Sequence, residues 1–209
     1  MTASSPAARR KRAIESFKTA ADCLGPIYRG MDGIFAITRG QWSMIDAILH
    51  CLDQINAPCR LSLWTWTIAD YEIQCLQRLM QDARLANATL VIDHGARNKN
   101  QRLLDQWMGT FGAQSIRLVL NHGKIATIEG NDIRLLLRGS MNLNFNPRFE
   151  QFDLTEGGQD FELVRQIESE LEILPPDAPG REPYRVSKVS QAFDTQTIDM
   201  FRGLKPWTK

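Results

Sequence analysis

Histidine and cysteine are scarce in this chain: three histidines, His50, His94 and His122, and four cysteines, Cys23, Cys51, Cys59 and Cys75. The cysteines form no C-x-x-C pair and have no companion histidine at zinc spacing. That argues against a disulfide framework or a structural zinc site, and for buried, reduced thiols. No apolar run approaches the ~18–20 residues that span a bilayer. The first residues, MTASSPAARRKR, lead into IESFKTAADC rather than into the apolar core of a signal peptide. A cytoplasmic protein without a membrane anchor is the expectation. An excess of one charge is also missing, since 25 Lys+Arg stand against 24 Asp+Glu. A nucleic-acid binder usually carries a clear basic excess, so any basic surface here is local. Internal repeats, a phosphate-cradling glycine loop, a dinucleotide fingerprint and a metal-ligand cluster are all lacking, and neither cofactor nor metal is expected.

What remains is the make-up of one globular domain: 209 residues, 43% hydrophobic and 23% charged. The charge is unevenly spread. Residues 1–93 hold 10 basic and 9 acidic side chains, residues 94–150 hold 8 and 4, and residues 151–209 hold 7 and 11. Residues 1–30 read as a basic extension ending its first dozen residues in Arg9-Arg10-Lys11-Arg12, with a helical stretch to about Cys23. Residues 31–174 read as the domain, and residues 175–209, opening on Pro175-Pro176, as a tail.

Within the domain, strands and helices alternate. Ile34–Thr38 reads as a strand, and Gln41–Ile55 as a helix with Met44, Ile45, Ile48, Leu49 and Leu52 on one face. Leu61–Ile68 is aromatic and β-branched, a strand that sets Trp64 and Trp66 on one sheet face, and Asp70 opens a helix carrying Ile73, Leu76, Leu79 and Met80. Ala88–Asp93 and Ser115–Leu120 are further strands around a helix from Asn98 to Phe111. Then Ile125–Ile128 and Asp132–Arg138 flank the polar turn Glu129-Gly130-Asn131 as a hairpin. A last strand over Phe149–Thr155 precedes an amphipathic helix, Phe161–Ile173, with Leu163, Ile167 and Leu171 inward. This order predicts an α/β fold: a mixed, largely parallel sheet with helices on both faces.

The stretch that carries chemistry is Asn121-His122-Gly123-Lys124, the hairpin, and Gly139-Ser140-Met141-Asn142-Leu143-Asn144, with Glu150 soon after. His122 and Lys124 are two apart at the start of a strand, so their side chains share a face and can converge on one small anion. Ser140 and Asn142 sit with the same spacing at the end of the returning strand, and a hairpin brings its two ends together. An imidazole offers a nucleophile or proton donor, an ammonium a fixed charge, and a hydroxyl and an amide offer hydrogen bonds to phosphoryl oxygens. Those are the parts of a metal-free phosphodiester site.

HGKIATIE followed by GSMNLN resembles the HxKxxxxD…GSxNxN signature of the phospholipase D superfamily, over roughly residues 115–172. The resemblance implies a phospholipase D-like fold and a metal-independent phosphodiesterase. It makes His122 the nucleophile of a phosphohistidine intermediate, or through a symmetry mate the general acid. Lys124, Ser140 and Asn142 would hold phosphate, and Asn144 would support the loop. Glu150 would bond and orient the histidine, where a carboxylate on the second ring nitrogen fixes the tautomer. The chain departs from the pattern in having Glu129 for the motif's Asp and a longer interval from there to Gly139.

Family enzymes use two such motifs and this chain has one, so the resemblance implies a homodimer sharing one site. His94 has no lysine two residues on and reads as a loop residue without a catalytic role, and His50 lies in a helix. The basic residues of the middle segment, Arg97, Lys99, Arg102, Arg117, Arg134, Arg138 and Arg148, point to nucleic acid, DNA ahead of RNA. Lys124, Asn142, Asn144, Arg138 and Arg148 form the expected substrate-binding set. Two other readings remain: phospholipid hydrolysis or phosphatidyl transfer, and a non-catalytic nucleic-acid-binding protein of the same fold.

Overall fold

A computed structural model describes residues 11–15 and 19–173. Eight strands appear among them: β1 (Lys11–Glu15), β2 (Gly33–Thr38), β3 (Cys59–Thr65), β4 (Leu85–Asp93), β5 (Ile116–Val119), β6 (Ile125–Glu129), β7 (Arg134–Gly139) and β8 (Glu150–Glu156). The helices are α1 (Ala20–Leu24), α2 (Met44–Gln54), α3 (Asp70–Gln81), α4 (Gly95–Phe111) and α5 (Gln159–Glu170). All eight strands join one mixed sheet in the order β1-β2-β8-β7-β6-β3-β4-β5.

The α/β class and the mixed sheet agree with the sequence, but the sheet is not largely parallel. β1 with β2, β3 with β4 and β4 with β5 are parallel, whereas β2–β8, β8–β7, β7–β6 and β6–β3 are antiparallel. The cause is the hairpin: once β6 turns into β7 without a helix between them, neighbours must alternate in direction, and β8 inserts between β7 and β2 antiparallel to both.

Helices do cover both faces, unevenly. Register places Leu61 and Leu63 of β3, Ala88, Leu90 and Ile92 of β4, Ala126 and Ile128 of β6, and Phe152 and Leu154 of β8 on one face. That face forms the main core with α1, α2, α3 and α4, through side chains such as Leu24, Ile48, Leu76 and Trp107. Among the described residues the opposite face meets α5, through Leu136, Trp64, Phe161 and Val164. Each fully buried Leu, Ile or Phe here contributes about 1.5–3 kcal/mol relative to exposure.

Two features differ from the expectations, and a third expectation goes untested. The described part of residues 1–30 is integrated into the fold: Lys11–Glu15 pairs with β2, and α1 buries Ala20, Cys23 and Leu24. The tail over 175–209 lies outside the described residues. Helix α5 is turned by one residue, about 100°, from the expected face: Phe161, Val164 and Glu168 are buried, while Leu163 is 56% and Ile167 39% exposed. The buried Glu168 explains the rotation, since its carboxylate accepts from the Ser62 hydroxyl, from Trp64 Nε1 at 3.3 Å and from Arg165 at 2.7 Å. A buried charge that is bonded three ways can sit where an apolar stripe would otherwise be.

None of the four cysteines is in a disulfide, and Cys23, Cys51 and Cys59 are buried. Burial, with Cys59 nearby, pushes the Cys51 thiol up to about 12, so it stays protonated and inert. No described helix is long and apolar enough to cross a membrane.

Candidate active site

Strand directions bring the chemistry to one edge of the sheet. The register pairs Thr38 with Glu150, Ile125 with both Trp64 and Arg138, and Asp93 with Val119. The carboxyl ends of β2, β3, β4, β5 and β7 and the starts of β6 and β8 therefore share that edge, the place where open α/β sheets present their sites.

The loop between β5 and β6 carries His122, and Asn121 builds it. Asn121 is buried; its Nδ2 donates to Thr65 O at 2.9 Å and Val91 O at 3.3 Å, and its Oδ1 accepts from Gly123 N at 2.8 Å. Its backbone N–H donates to Asp93 Oδ2 at 3.1 Å, while Asp93 Oδ1 accepts from Gly95 N at 2.8 Å. One amide and one carboxylate thus tie the ends of β3, β4 and β5 together, and the next residue, His122, is held out to solvent. Lys124 Nζ donates to His122 O at 2.8 Å and lies 3.2 Å from His122 Nδ1. Partial burial pushes the Lys124 ammonium below the ordinary lysine value, with the Glu150 carboxylate opposing the shift.

The second half of the motif joins the first through backbone. Gly139 N donates to Lys124 O at 3.1 Å, and Ser140 N to Gln151 O at 3.1 Å. A Cβ on Gly139 would lie 2.2 Å from Gln151 O, so only glycine lets β7 approach β8 this closely. Ser140 Oγ donates to the Glu150 carboxylate and accepts from Gln151 N at 3.0 Å. Asn146 Nδ2 donates to Glu150 Oε1 at 3.1 Å.

The loop from Ser140 to Phe149 also meets a helix end. Met44 N donates to Asn142 O and Ile45 N to Leu143 O, both at 3.2 Å, so two carbonyls of this loop satisfy first-turn N–H groups of α2. Asn142 Oδ1 is buried without a hydrogen-bond partner.

His122, Lys124, Ser140, Asn142 and Glu150 therefore lie on connected segments of one edge, with differences from the expected roles. Glu150 is bonded to Ser140 and Asn146 rather than to His122. Asn144 and Arg148 are exposed on the same loop. Arg138 turns to the α5 face and pairs with Asp160 at 2.6 Å. Arg134 pairs with Glu162, and Arg102 with Asp70 at 2.5 Å. These three arginines are thus engaged by the chain's own carboxylates. Glu129 is at the far end of β6, 4.0 Å from Arg60, removed from the chemistry.

Sequence reasoning missed Asn121 and Asp93 as the groups that shape the histidine loop. The only signal was an Asn directly before H-x-K at a strand end. It also missed Trp66, which lies beyond the end of β3 with its ring centroid 6.3 Å from that of His122, whereas Trp64 is under α5. Among the described residues, no group of three or more His, Cys, Asp or Glu could hold a metal ion.

No family model matches the chain, and no curated protein matches it. Among solved structures, phosphatidylserine synthase from Haemophilus influenzae Rd KW20 aligns with a TM-score of 0.43 and 10% identity, over 68% of this chain and 39% of that one. A likeness at that level identifies neither a family nor a substrate for this chain.

Proposed function

We propose that the protein is a metal-independent phosphodiesterase of phospholipase D type that hydrolyses nucleic-acid phosphodiesters from a site shared by two copies. The observation that carries this reading is the pairing of Lys124 Nζ with His122 at 3.2 Å on a solvent-facing sheet edge, joined by the Gly139 N–H to the Ser140–Asn142 loop. A phosphate there meets a fixed cation, a hydroxyl and an amide beside an imidazole.

In the proposed reaction a ring nitrogen of His122 attacks phosphorus and the P–O bond to the leaving group breaks. The leaving alkoxide takes its proton from His122 of the second copy. Water then attacks phosphorus, the P–N bond breaks, and the second imidazole recovers a proton from that water. Lys124 neutralises the charge that grows on the non-bridging oxygens. In this scheme the Glu150 carboxylate, bonded to Ser140 and Asn146, fixes the phosphate-holding loop and adds to the field at Lys124.

That same bonding of Glu150 away from His122 also favours a second reading, a non-catalytic nucleic-acid-binding protein whose pocket has the residues without the orientation. Incubating the purified chain in excess EDTA with labelled single-stranded DNA, duplex DNA, RNA and a phospholipid decides between them. Turnover of a nucleic acid that is lost in His122→Ala is the expected result. Turnover of the phospholipid alone would move the substrate to lipid, and binding without any turnover would favour the second reading.

A further inference from the structure

Several large apolar side chains are left exposed along the edge that carries His122. Trp66 follows β3, Tyr71 opens α3 just beyond, Leu120 follows β5, and Phe145 and Phe149 sit on the loop into β8. Most are aromatic. Trp66 is 48% and Phe149 68% exposed, so a large part of each side chain is open to solvent.

Their placement brackets the phosphate pair. In the order β3-β6-β7-β8, Trp66 leaves the first strand, Lys124 enters the second, Gly139 ends the third and Phe149 precedes the fourth. Three strand spacings separate the two aromatic positions by roughly 14 Å, with Lys124 between them and His122 beside Trp66. Arg39, from the end of β2, holds its guanidinium carbon 5.2 Å from the centroid of the Phe149 ring, a cation–π arrangement. Gly40 is so close to the 146–148 backbone that a Cβ there would lie 2.5 Å from Asn146 O, so the two loops are packed as a unit. Phe149 is thus a supported ring rather than a loose one.

We infer that the site takes single-stranded nucleic acid, with bases on either side of the bound phosphate stacked on Trp66 and Phe149. The inference rests on the phosphodiesterase reading for the identity of the phosphate pair. Aromatic faces beside cations are the make-up of single-strand platforms, because every unpaired base has a π-face while duplex bases are already stacked on one another. Acyl chains fit this edge less well, since they call for a concave apolar lining. The cavity between α1 and α2 is lined by Trp42, Leu49 and His50, and the one beside α5 by Arg134 and Leu163; neither includes Trp66 or His122.

The test uses the full-length His122→Ala chain, so that the probe stays intact. Fluorescence anisotropy follows a labelled oligothymidylate, the matching duplex and an abasic oligomer of the same length, and sedimentation follows phosphatidylglycerol vesicles. The expected result is preference for the oligothymidylate, weakened about 5- to 100-fold by Trp66→Ala or Phe149→Ala. Trp66→Phe should restore most of it, and binding of the abasic oligomer should be unmoved. Equal losses on all three nucleic acids would overturn the inference. So would vesicle binding that depends on Trp66, or loss of self-association in Trp66→Ala with single-strand affinity intact, which would make the rim a contact between copies. The wild-type chain's turnover in EDTA reports on the phosphodiesterase reading separately. Aromatic-dependent binding without turnover would sink that reading alone, and turnover indifferent to Trp66 and Phe149 would sink this one alone.

Discussion

Asn121 ties the ends of β3 and β4 to its own loop through one side chain, its amide donating to Thr65 O and Val91 O. Truncation to alanine leaves those carbonyls and the Gly123 N–H without their partner. Asn121→Ala should lower stability by about 1–3 kcal/mol in denaturant melts. As a positioning residue it should lower kcat while leaving KM nearly unchanged, since Lys124 and Ser140 keep their own supports; an unchanged kcat would limit Asn121 to stability. Lys124 carries a pH consequence with a definite sign. Burial places its folded-state pKa below the unfolded value, with Glu150 opposing. The folded chain thus binds that proton less tightly, and stability rises with pH between the two values, while below both the ammonium is a constant cost. Phosphate affinity runs the other way, complete below the lowered pKa and lost as pH rises through it. Inhibition by inorganic phosphate, measured against pH, should therefore fade at a lower pH than a free lysine would allow. Lys124→Arg should extend the plateau into alkaline solution.

Between the residue and the molecule stands the contact of α2 with the Ser140–Phe149 loop. Asp46 accepts from Ser43 N at 2.8 Å and from Ser43 Oγ at 2.7 Å, closing the start of the helix whose next N–H groups donate to Asn142 O and Leu143 O. Asp46→Ala should cost about 1 kcal/mol. It should also speed hydrogen exchange at the Met44 and Ile45 amides, loosening the loop that presents Asn142; unchanged exchange would show that the loop holds itself. The helices and strands from Ile34 to Phe152 were legible because apolar spacing reports burial directly, as at Met44, Ile45, Ile48 and Leu52. Hidden elements are those decided by a remote partner. β1 exists by pairing with β2, and the facing of α5 follows from a buried Glu168 that answers Ser62 and Trp64, about a hundred residues away in sequence. At the candidate site, H-x-K and G-S were legible because their spacing is local. The partners of Arg138 and Glu150 were not, since each could satisfy its charge on several neighbours and only the folded edge selects Asp160, Ser140 and Asn146.

For the whole molecule the question is stoichiometry. The chain holds one H-x-K, while the proposed chemistry needs one imidazole to attack and another to protonate the leaving group. His50 does not supply it on this geometry, and His94 has no lysine two residues on. His50 Nε2 is engaged with Gly25 O at 2.7 Å beside α1, and His94 opens α4 with its N–H on Val119 O. In the proposed dimer, two-fold association would place the same patch of both copies around one phosphate, the arrangement a closed isologous dimer imposes. Mixing tests this without a structure of the complex. When wild-type and His122→Ala chains are co-refolded and pair at random, only wild-type pairs hold both imidazoles. Activity per total chain then follows the square of the wild-type fraction, and an equal mixture should retain about a quarter of the full rate. A chain that acts alone, borrowing its acid from water or from its own residues, would retain about half. Because His122→Ala removes an exposed ring, pairing itself should be intact, and sedimentation of the mixture checks that point.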